Sequence, residues 1–349
     1  MKALFFIAVF AAISIGFWQI AKIFGATNED QTATKKENNI NGWMMLFMLA
    51  FVHGLLIFCM VEYGDVLLPQ LSASSEGEHI DMLFKITFGL ILFVQFFTQI
   101  LIFFFAFKYR GNIDRTATFY ADSHKLEMIW TSVPAIVLTI LVLYGIYTWN
   151  EVMDVSNQKD PLYIELYAKQ FQWEARYAGS DNTLGNANVR NIKGINTMGV
   201  DMNDKNAADD ITVLGEFHIP KGRKVVFQFR SQDVLHSAYM PHFRAQMNCV
   251  PGMKTHFGFT PSVTTAEMRK NQDIIDKVAG INKIRKAKSK VLEANGDDAL
   301  EPYEFDYLLL CNKICGASHY NMQMKIVVDE VADYNVWINK QKTLASKIN

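Results

Sequence analysis

The main pattern in the sequence is a change near residue 150, from long apolar runs to mixed, mostly polar sequence. Four apolar runs, at about 3–24, 43–61, 86–107 and 129–149, have roughly the 20 residues that a bilayer-spanning helix needs. From about 160 the runs are short, rich in Val, Ile, Phe and Tyr, and separated by Gly, Asn, Asp and Pro, which is typical of strands and turns. We predict a membrane anchor over 1–150 and a water-soluble domain over 151–349.

Loop charges indicate the orientation of the membrane part. The loop at 62–83 is acidic and contains no Lys or Arg, whereas positive charges occupy the other two loops, at Lys35, Lys36, Lys108, Arg110, Arg115 and Lys125. Because positive loops stay in the cytoplasm, four crossings would leave the N-terminus and the whole second half outside. Residues 1–25 also resemble a signal segment. Removal of this segment would leave three crossings and put the second half in the cytoplasm, so we favour a helix that is retained.

The second half is predicted to be an all-β domain that is interrupted by two stretches without strand pattern. Predicted strands lie at 162–168, 224–229, 307–310 and 324–328, and this pattern favours an antiparallel sandwich or a Greek-key barrel. Residues 178–210 are polar and without periodicity, which predicts a surface loop. Residues 265–298 have helical spacing and a basic run, which predicts a helical insertion.

Composition narrows the chemistry. The net charge is only −1, which gives no indication of nucleic-acid binding. The four cysteines do not suggest a disulfide framework, because the chain is large and Cys59 lies inside an apolar run.

A cluster of soft ligands follows the strand predicted at 307–310. Cys311, Cys315, His319 and Met322 fall within twelve residues. Thiolate and thioether sulfur favour copper, and Met is an uncommon zinc ligand. One Cys, one Met and two His would form a mononuclear blue-copper site, whereas the second Cys allows two thiolates to bridge two coppers. A Cys311–Cys315 disulfide and a structural zinc site are the alternatives.

A further ligand is expected from a remote strand, and the candidates are His218, His236, His242 and His256. His236 lies in Asp233-Val-Leu-His236-Ser, between a strand and a turn, and is our preferred candidate.

These motifs together resemble subunit II of the haem-copper cytochrome c oxidases, in a bacterial form with extra N-terminal membrane helices. The resemblance rests on the Asp233–His236 motif, on Val250-Pro251-Gly252 and on the Cys-x-x-x-Cys-Gly-x-x-His-x-x-Met loop. It extends to Trp130-Thr131-Ser-Val-Pro134 and to Gln170-Phe-Gln-Trp173. The first two apolar segments and 265–298 lie outside it.

The resemblance implies a cupredoxin-like Greek-key barrel with a dinuclear copper centre of the copper A type. Cys311 and Cys315 would bridge both coppers, His236 and His319 would each cap one, and Met322 and the backbone carbonyl of Lys313 would complete the set. The chain would accept electrons from cytochrome c, or from a c-type haem domain, and pass them to the haem-copper subunit I, which reduces oxygen.

The same resemblance implies the surroundings of the chain. The chain would be part of a proton-pumping oxidase in a bacterial inner membrane, with its copper domain in the periplasm. Its partners would be subunits I and III, and the oxidase could join a larger respiratory supercomplex. Glu127, three residues before Trp130, would lie at the mouth of a proton pathway. An ordinary interfacial carboxylate is the alternative.

Three positions depart from the family pattern. Lys313 replaces the Glu that binds magnesium at the subunit interface, and Asn248 replaces a neighbouring acidic residue, so the magnesium site is doubtful. Phe171 replaces the Trp that commonly receives the electron, which makes Trp173 the candidate for the electron path.

Two other functions are alternatives. A quinol oxidase subunit would lack the copper ligands. A membrane-anchored copper carrier or assembly protein would need neither the Trp130–Pro134 motif nor His236 in its strand setting.

Overall fold

Four long helices begin the chain. The computed structural model describes residues 2–25, 33–64, 71–155 and 160–348. The helices are α1 (Lys2–Gly25), α2 (Lys35–Tyr63), α3 (Ser75–Lys108) and α4 (His124–Met153). In the described residues α2, α3 and α4 are long and apolar enough to cross a membrane, and α1 contributes a shorter apolar stretch, Val9–Ile20. Three predicted spans are therefore confirmed, and a crossing by α1 stays a prediction.

The helices and the rest of the chain form two compact units. One unit contains 1–62 and 91–123, where the edge of the Trp43 ring packs on Phe107 with centroids 5.0 Å apart. The other contains 63–90 and 124–349. In the second unit the start of α3 is tied to the β domain, because Asp81 forms an ion pair with Arg244 at 2.7 Å and Glu76 forms one with Lys224 at 2.7 Å.

The β domain is a sandwich of two five-stranded sheets, ordered β3-β2-β1-β5-β8 and β4-β10-β9-β6-β7. The strands are β1 (Leu162–Lys169), β2 (Gln172–Tyr177), β3 (Ile211–Leu214), β4 (Glu216–Pro220), β5 (Val225–Ser231), β6 (His236–Met240), β7 (Ala245–Cys249), β8 (Thr255–Phe259), β9 (Tyr307–Cys311) and β10 (Gln323–Asp329). The predicted order of membrane helices followed by an all-β domain is confirmed.

The sandwich is mixed rather than antiparallel. β1 pairs in parallel with β5, and β4 pairs in parallel with β10. The chain leaves the first sheet for β4 before it returns for β5, and connections that change sheets allow parallel neighbours. Aromatic and branched residues of both inner faces, among them Trp173, Phe217, Phe227 and Leu309, fill the core.

The stretch 178–210 is irregular, but the prediction that it is simply a surface loop is wrong. Met198, Val200 and Ala207 are buried and pack with Tyr167 of β1 and with Leu344. Because these apolar residues are scattered among polar ones, periodicity could not reveal them.

The remaining helices lie in two places: some fall within the segment 265–298, and others come after β10. The predicted insertion contains α5 (Thr265–Met268) and α6 (Gln272–Ala294), and after β10 come α7 (Val331–Asn339) and α8 (Leu344–Ile348). Thr264 and Glu267 cap α5 reciprocally, which satisfies the free N–H groups of its first turn.

His242, which follows β6, should make the β domain less stable in acid. Its ring lies between Phe305 and Tyr307, and burial together with the positive Lys277 and Arg244 lowers its pKa to about 4. Between pH 6.5 and about 4, the imidazole therefore binds a proton in the unfolded chain but not in the folded domain. The free energy of unfolding falls as the pH falls through that window, by about 3 kcal/mol in total. His242→Leu should flatten this slope in denaturant titrations at several pH values.

A variant at the exposed Gln172 provides the control for that experiment. Gln172→Leu changes a side chain that does not titrate, so it should keep the wild-type slope. A His242→Leu chain that loses stability in acid as steeply as the wild type would contradict the assignment.

Candidate metal centre

The candidate ligands meet where β6 begins and β9 ends. Ala238 of β6 lies opposite Cys311 of β9, so His236 at the start of β6 comes close to the residues that follow Cys311. After Cys311 the chain makes a short loop that carries Cys315, then a single turn at His319–Asn321, and returns as β10. The residues of the loop are thereby brought onto the His236 end of the same sheet.

The sulfur and nitrogen atoms lie at ligand spacing. Cys311 Sγ is 3.9 Å from Cys315 Sγ and 3.8 Å from His236 Nδ1. Cys315 Sγ is 3.7 Å from His319 Nδ1 and 3.8 Å from Met322 Sδ. In the part of the chain that the structure describes, the ligand atoms of His236, Cys311 and Cys315 lie within 4.8 Å of one another, so these three residues could hold a metal ion.

The backbone carbonyl of Lys313 also reaches the site. Its oxygen is 3.2 Å from Cys311 Sγ, whereas the Lys313 side chain is exposed to solvent. A lysine at this position therefore leaves the carbonyl available as a ligand.

Asp233 fixes the orientation of His236. The Asp233 Oδ1 carboxylate oxygen lies 2.8 Å from His236 Nε2, so a proton on Nε2 is held there and the lone pair of Nδ1 faces Cys311. His236 is fully buried, and its ring packs edge-on against Trp173 with centroids 6.2 Å apart. The side chain is thus held both by its polar partner and by the core.

The arrangement fits a copper pair. Ligand atoms bound at about 2.0–2.3 Å to one tetrahedral metal lie roughly 3.5 Å apart, and the distances here are a few tenths longer. His236 and the Lys313 carbonyl approach Cys311, whereas His319 and Met322 approach Cys315, so the set divides into two halves, each with its own thiol.

The thiols are free in this structure, and they must lose their protons to bind metal. All four cysteines of the chain are unpaired, which disfavours the Cys311–Cys315 disulfide. Burial and the neighbouring Cys311 raise the pKa of the Cys315 thiol to about 11. Metal binding at neutral pH therefore releases protons from this site.

The other candidate histidines lie elsewhere. His218 Nδ1 lies 2.5 Å from Asp329 Oδ2, and its ring stacks on Trp337. His242 packs between aromatic rings at the other end of β6, and His256 lies on β8, opposite Gln228 of β5.

The two residues predicted outside the ligand set differ in position. Trp173 is buried beside His236, and its indole Nε1 has no hydrogen-bond partner. Glu127 lies in the first turn of α4, 3.5 Å from His124. Its role in proton transfer stays a prediction.

Sequence reasoning missed one contact between the sheets. Gln170 and Phe171 connect β1 to β2, and they reach the loop that follows Cys311, at Cys315 and Gly316. Their place in the Gln170-Phe-Gln-Trp173 stretch was the available signal, but sequence alone could not show that this turn of one sheet touches a loop of the other.

Comparison with known proteins assigns the family. The profile described as "Cytochrome C oxidase subunit II, transmembrane domain" matches residues 65–147. An "Alternative cytochrome c oxidase subunit 2" of Bradyrhizobium diazoefficiens is 31% identical over 300 residues, which cover 83% of this chain and 92% of that protein. A "Cytochrome c oxidase subunit 2" of Thermostichus vulcanus is 21% identical over 315 residues, covering 83% of each chain.

Among solved structures, the chain aligns with the periplasmic domain of subunit II of cytochrome oxidase from Bradyrhizobium japonicum. That alignment has 18% identity and a TM-score of 0.31, and it covers 55% of this chain and 97% of the other. The assignment rests on the 31% identity over nearly the full length of the Bradyrhizobium diazoefficiens protein. This chain belongs to the cytochrome c oxidase subunit II family.

Proposed function

We propose that the chain is the electron-accepting subunit of a terminal oxidase, with a dinuclear copper centre held by His236, Cys311, the Lys313 carbonyl, Cys315, His319 and Met322. The single observation that carries this proposal is the pair of thiols 3.9 Å apart, each with its own histidine. A copper pair held by these residues would supply a group that takes up and gives back one electron.

The residues around the site provide a rigid, dry frame. His236, Cys315 and Met322 are each at most 5% exposed, so solvent has little access to these three ligands, whereas Cys311 and His319 are half-buried. The hydrogen bond that His236 donates to Asp233 and the packing against Trp173 hold the imidazole in one orientation. Ligands that are already in place move little when the charge of the site changes, and this favours fast electron transfer. Trp173, in contact with His236, is the proposed electron path.

The proposal includes the expected partners and location. Electrons would come from cytochrome c or a c-type haem domain and go to subunit I, with subunit III as a further partner in a bacterial inner membrane and the copper domain in the periplasm. Neither Lys313 nor Asn248 offers a carboxylate, so magnesium is not part of the proposal.

The alternative of a copper carrier conflicts with the burial of the ligands. A carrier must release its metal to a partner, which requires accessible thiols. Here Cys315 is 5% exposed and His236 is 0% exposed.

Rapid mixing tests the proposal against that alternative. The full chain, loaded with copper in detergent, is mixed with a reduced c-type cytochrome, and the haem spectrum is followed. We expect the haem to be oxidised while copper stays bound, with no reaction when redox-inert zinc fills the site. Copper loss without haem oxidation would support a carrier and reject the proposed function.

Glu127→Gln tests the proton pathway. If Glu127 delivers protons to the oxidase, the variant complex should turn over more slowly at an unchanged copper content, since Gln cannot carry a proton. His79→Gln is the control, because His79 pairs with a carboxylate at 2.8 Å near the other end of α4. Wild-type oxygen consumption by the Glu127→Gln complex would reject the role.

A further inference from the structure

We propose that Gln170 is a positioning residue that braces the two ligand segments of the copper site against each other, an inference that rests on the proposed function. Gln170 lies in the two-residue connection between β1 and β2. The ligands His236 and Cys311 belong to strands of the other sheet. The brace therefore joins the two layers of the sandwich at the site.

One half of the brace acts on His236. The backbone N–H of Gln170 donates to Asp233 Oδ2 at 2.7 Å. The other oxygen of the same carboxylate, Oδ1, lies 2.8 Å from His236 Nε2. Gln170 thereby fixes the carboxylate that fixes the histidine.

The other half acts on Cys315. The side-chain amide of Gln170 donates to the Cys315 carbonyl oxygen. A carbonyl held in this way restrains the backbone that carries the Cys315 thiol. One residue thus contacts both ligand segments, through its backbone in one direction and its side chain in the other.

Gly316 allows the loop to lie this close. A Cβ atom at Gly316 would be 2.8 Å from Phe171 Cζ and 2.9 Å from Gln170 Nε2, and the glycine has φ +147°. A Cβ here would have to displace these two side chains, and the backbone conformation is one that residues other than glycine rarely adopt. The loop is therefore pressed directly onto the β1–β2 turn.

The two halves of the brace can be separated by mutation. Replacing the Gln170 side chain removes only the bond to Cys315, because the backbone N–H still reaches Asp233. The effect should fall on the half of the site formed by Cys315, His319 and Met322. Groups that hold metal ligands in place typically contribute a factor of about ten or more to metal affinity.

The test compares Gln170→Ala with Gln172→Ala in the full chain, loaded with copper in detergent. Gln172 is exposed and lies in the same hairpin, so it is a matched control. We expect Gln170→Ala to lose copper to a chelator roughly tenfold faster than Gln172→Ala. Its electron paramagnetic resonance spectrum should show the unpaired electron shared less evenly between the two nuclei. Gln170→Glu keeps the shape and removes the donor, so it should behave as Gln170→Ala does.

The outcomes are distinguishable. Suppose that the wild-type chain forms the bridged pair, and that Gln170→Ala and Gln170→Glu match Gln172→Ala in both copper release and spectrum. That result would overturn the positioning role of Gln170 alone. A wild-type chain that forms no bridged pair would overturn the proposed function, and this inference with it.

Discussion

Cys315→Ser is expected to abolish copper binding at the site, whereas Cys311→Ser should leave a site that holds a single copper. Cys315 lies within 4 Å of Cys311, His319 and Met322, so its loss separates His319 and Met322 from any thiolate. Loss of Cys311 leaves Cys315 with His319, Met322 and, within 4.8 Å, His236, and these four residues are the ligand set of a blue-copper site. A serine hydroxyl does not replace a thiolate, since it is hard and stays protonated.

Copper content and absorption spectra of the full chain measure this difference. Cys311→Ser should keep one copper with an intense thiolate-to-copper absorption, and Cys315→Ser should show neither. Cys59→Ser, on the exposed surface of α2, should match the wild type. Identical behaviour of the Cys311 and Cys315 variants would contradict the division of the site into two unequal halves.

Arg176→Ala is expected to destabilise the β domain strongly without changing the copper spectrum. The Arg176 guanidinium is 1% exposed, and it binds Glu165 Oε2 and lies 2.6 Å from Asp210 Oδ2. Burial raises the pKa of Glu165, but the positive Arg176 and Arg230 outweigh it, so the net pKa is lowered and the carboxylate stays charged. Removing one member of a buried charged network leaves uncompensated charge and costs about 3–5 kcal/mol.

Arg223→Ala is the matched control. Arg223 forms a comparable pair with Asp160 at 3.1 Å, but Asp160 is 83% exposed. Exposed pairs contribute about 1 kcal/mol or less. Denaturant unfolding of the two full-length variants should therefore differ by several kcal/mol at neutral pH. A similar loss in both would show that the buried network does not hold β1, β2 and the 178–210 stretch together.

The cluster of candidate ligands could be predicted from sequence, because its members are close in the chain or follow a strand. Cys311, Cys315, His319 and Met322 fall within twelve residues, and the structure brings all four together. His236 came from its setting after a strand, and the structure places it beside Cys311. Short runs of branched and aromatic residues predicted the strands β1, β5, β9 and β10.

Contacts between distant segments were not predictable. The parallel pairing of β1 with β5 depends on which sheet the intervening strands join, and local pattern does not contain that information. The buried network of Glu165, Arg176, Asp210 and Arg230 looks in sequence like four surface charges. Gln170 likewise acquires its partners only when the two sheets meet.

Copper stoichiometry with electron paramagnetic resonance, on the full chain in detergent, tests the central claim most directly. Two coppers per chain, with one unpaired electron shared between two nuclei, is the predicted result. One copper per chain, or a signal from an electron on a single nucleus, would contradict the account.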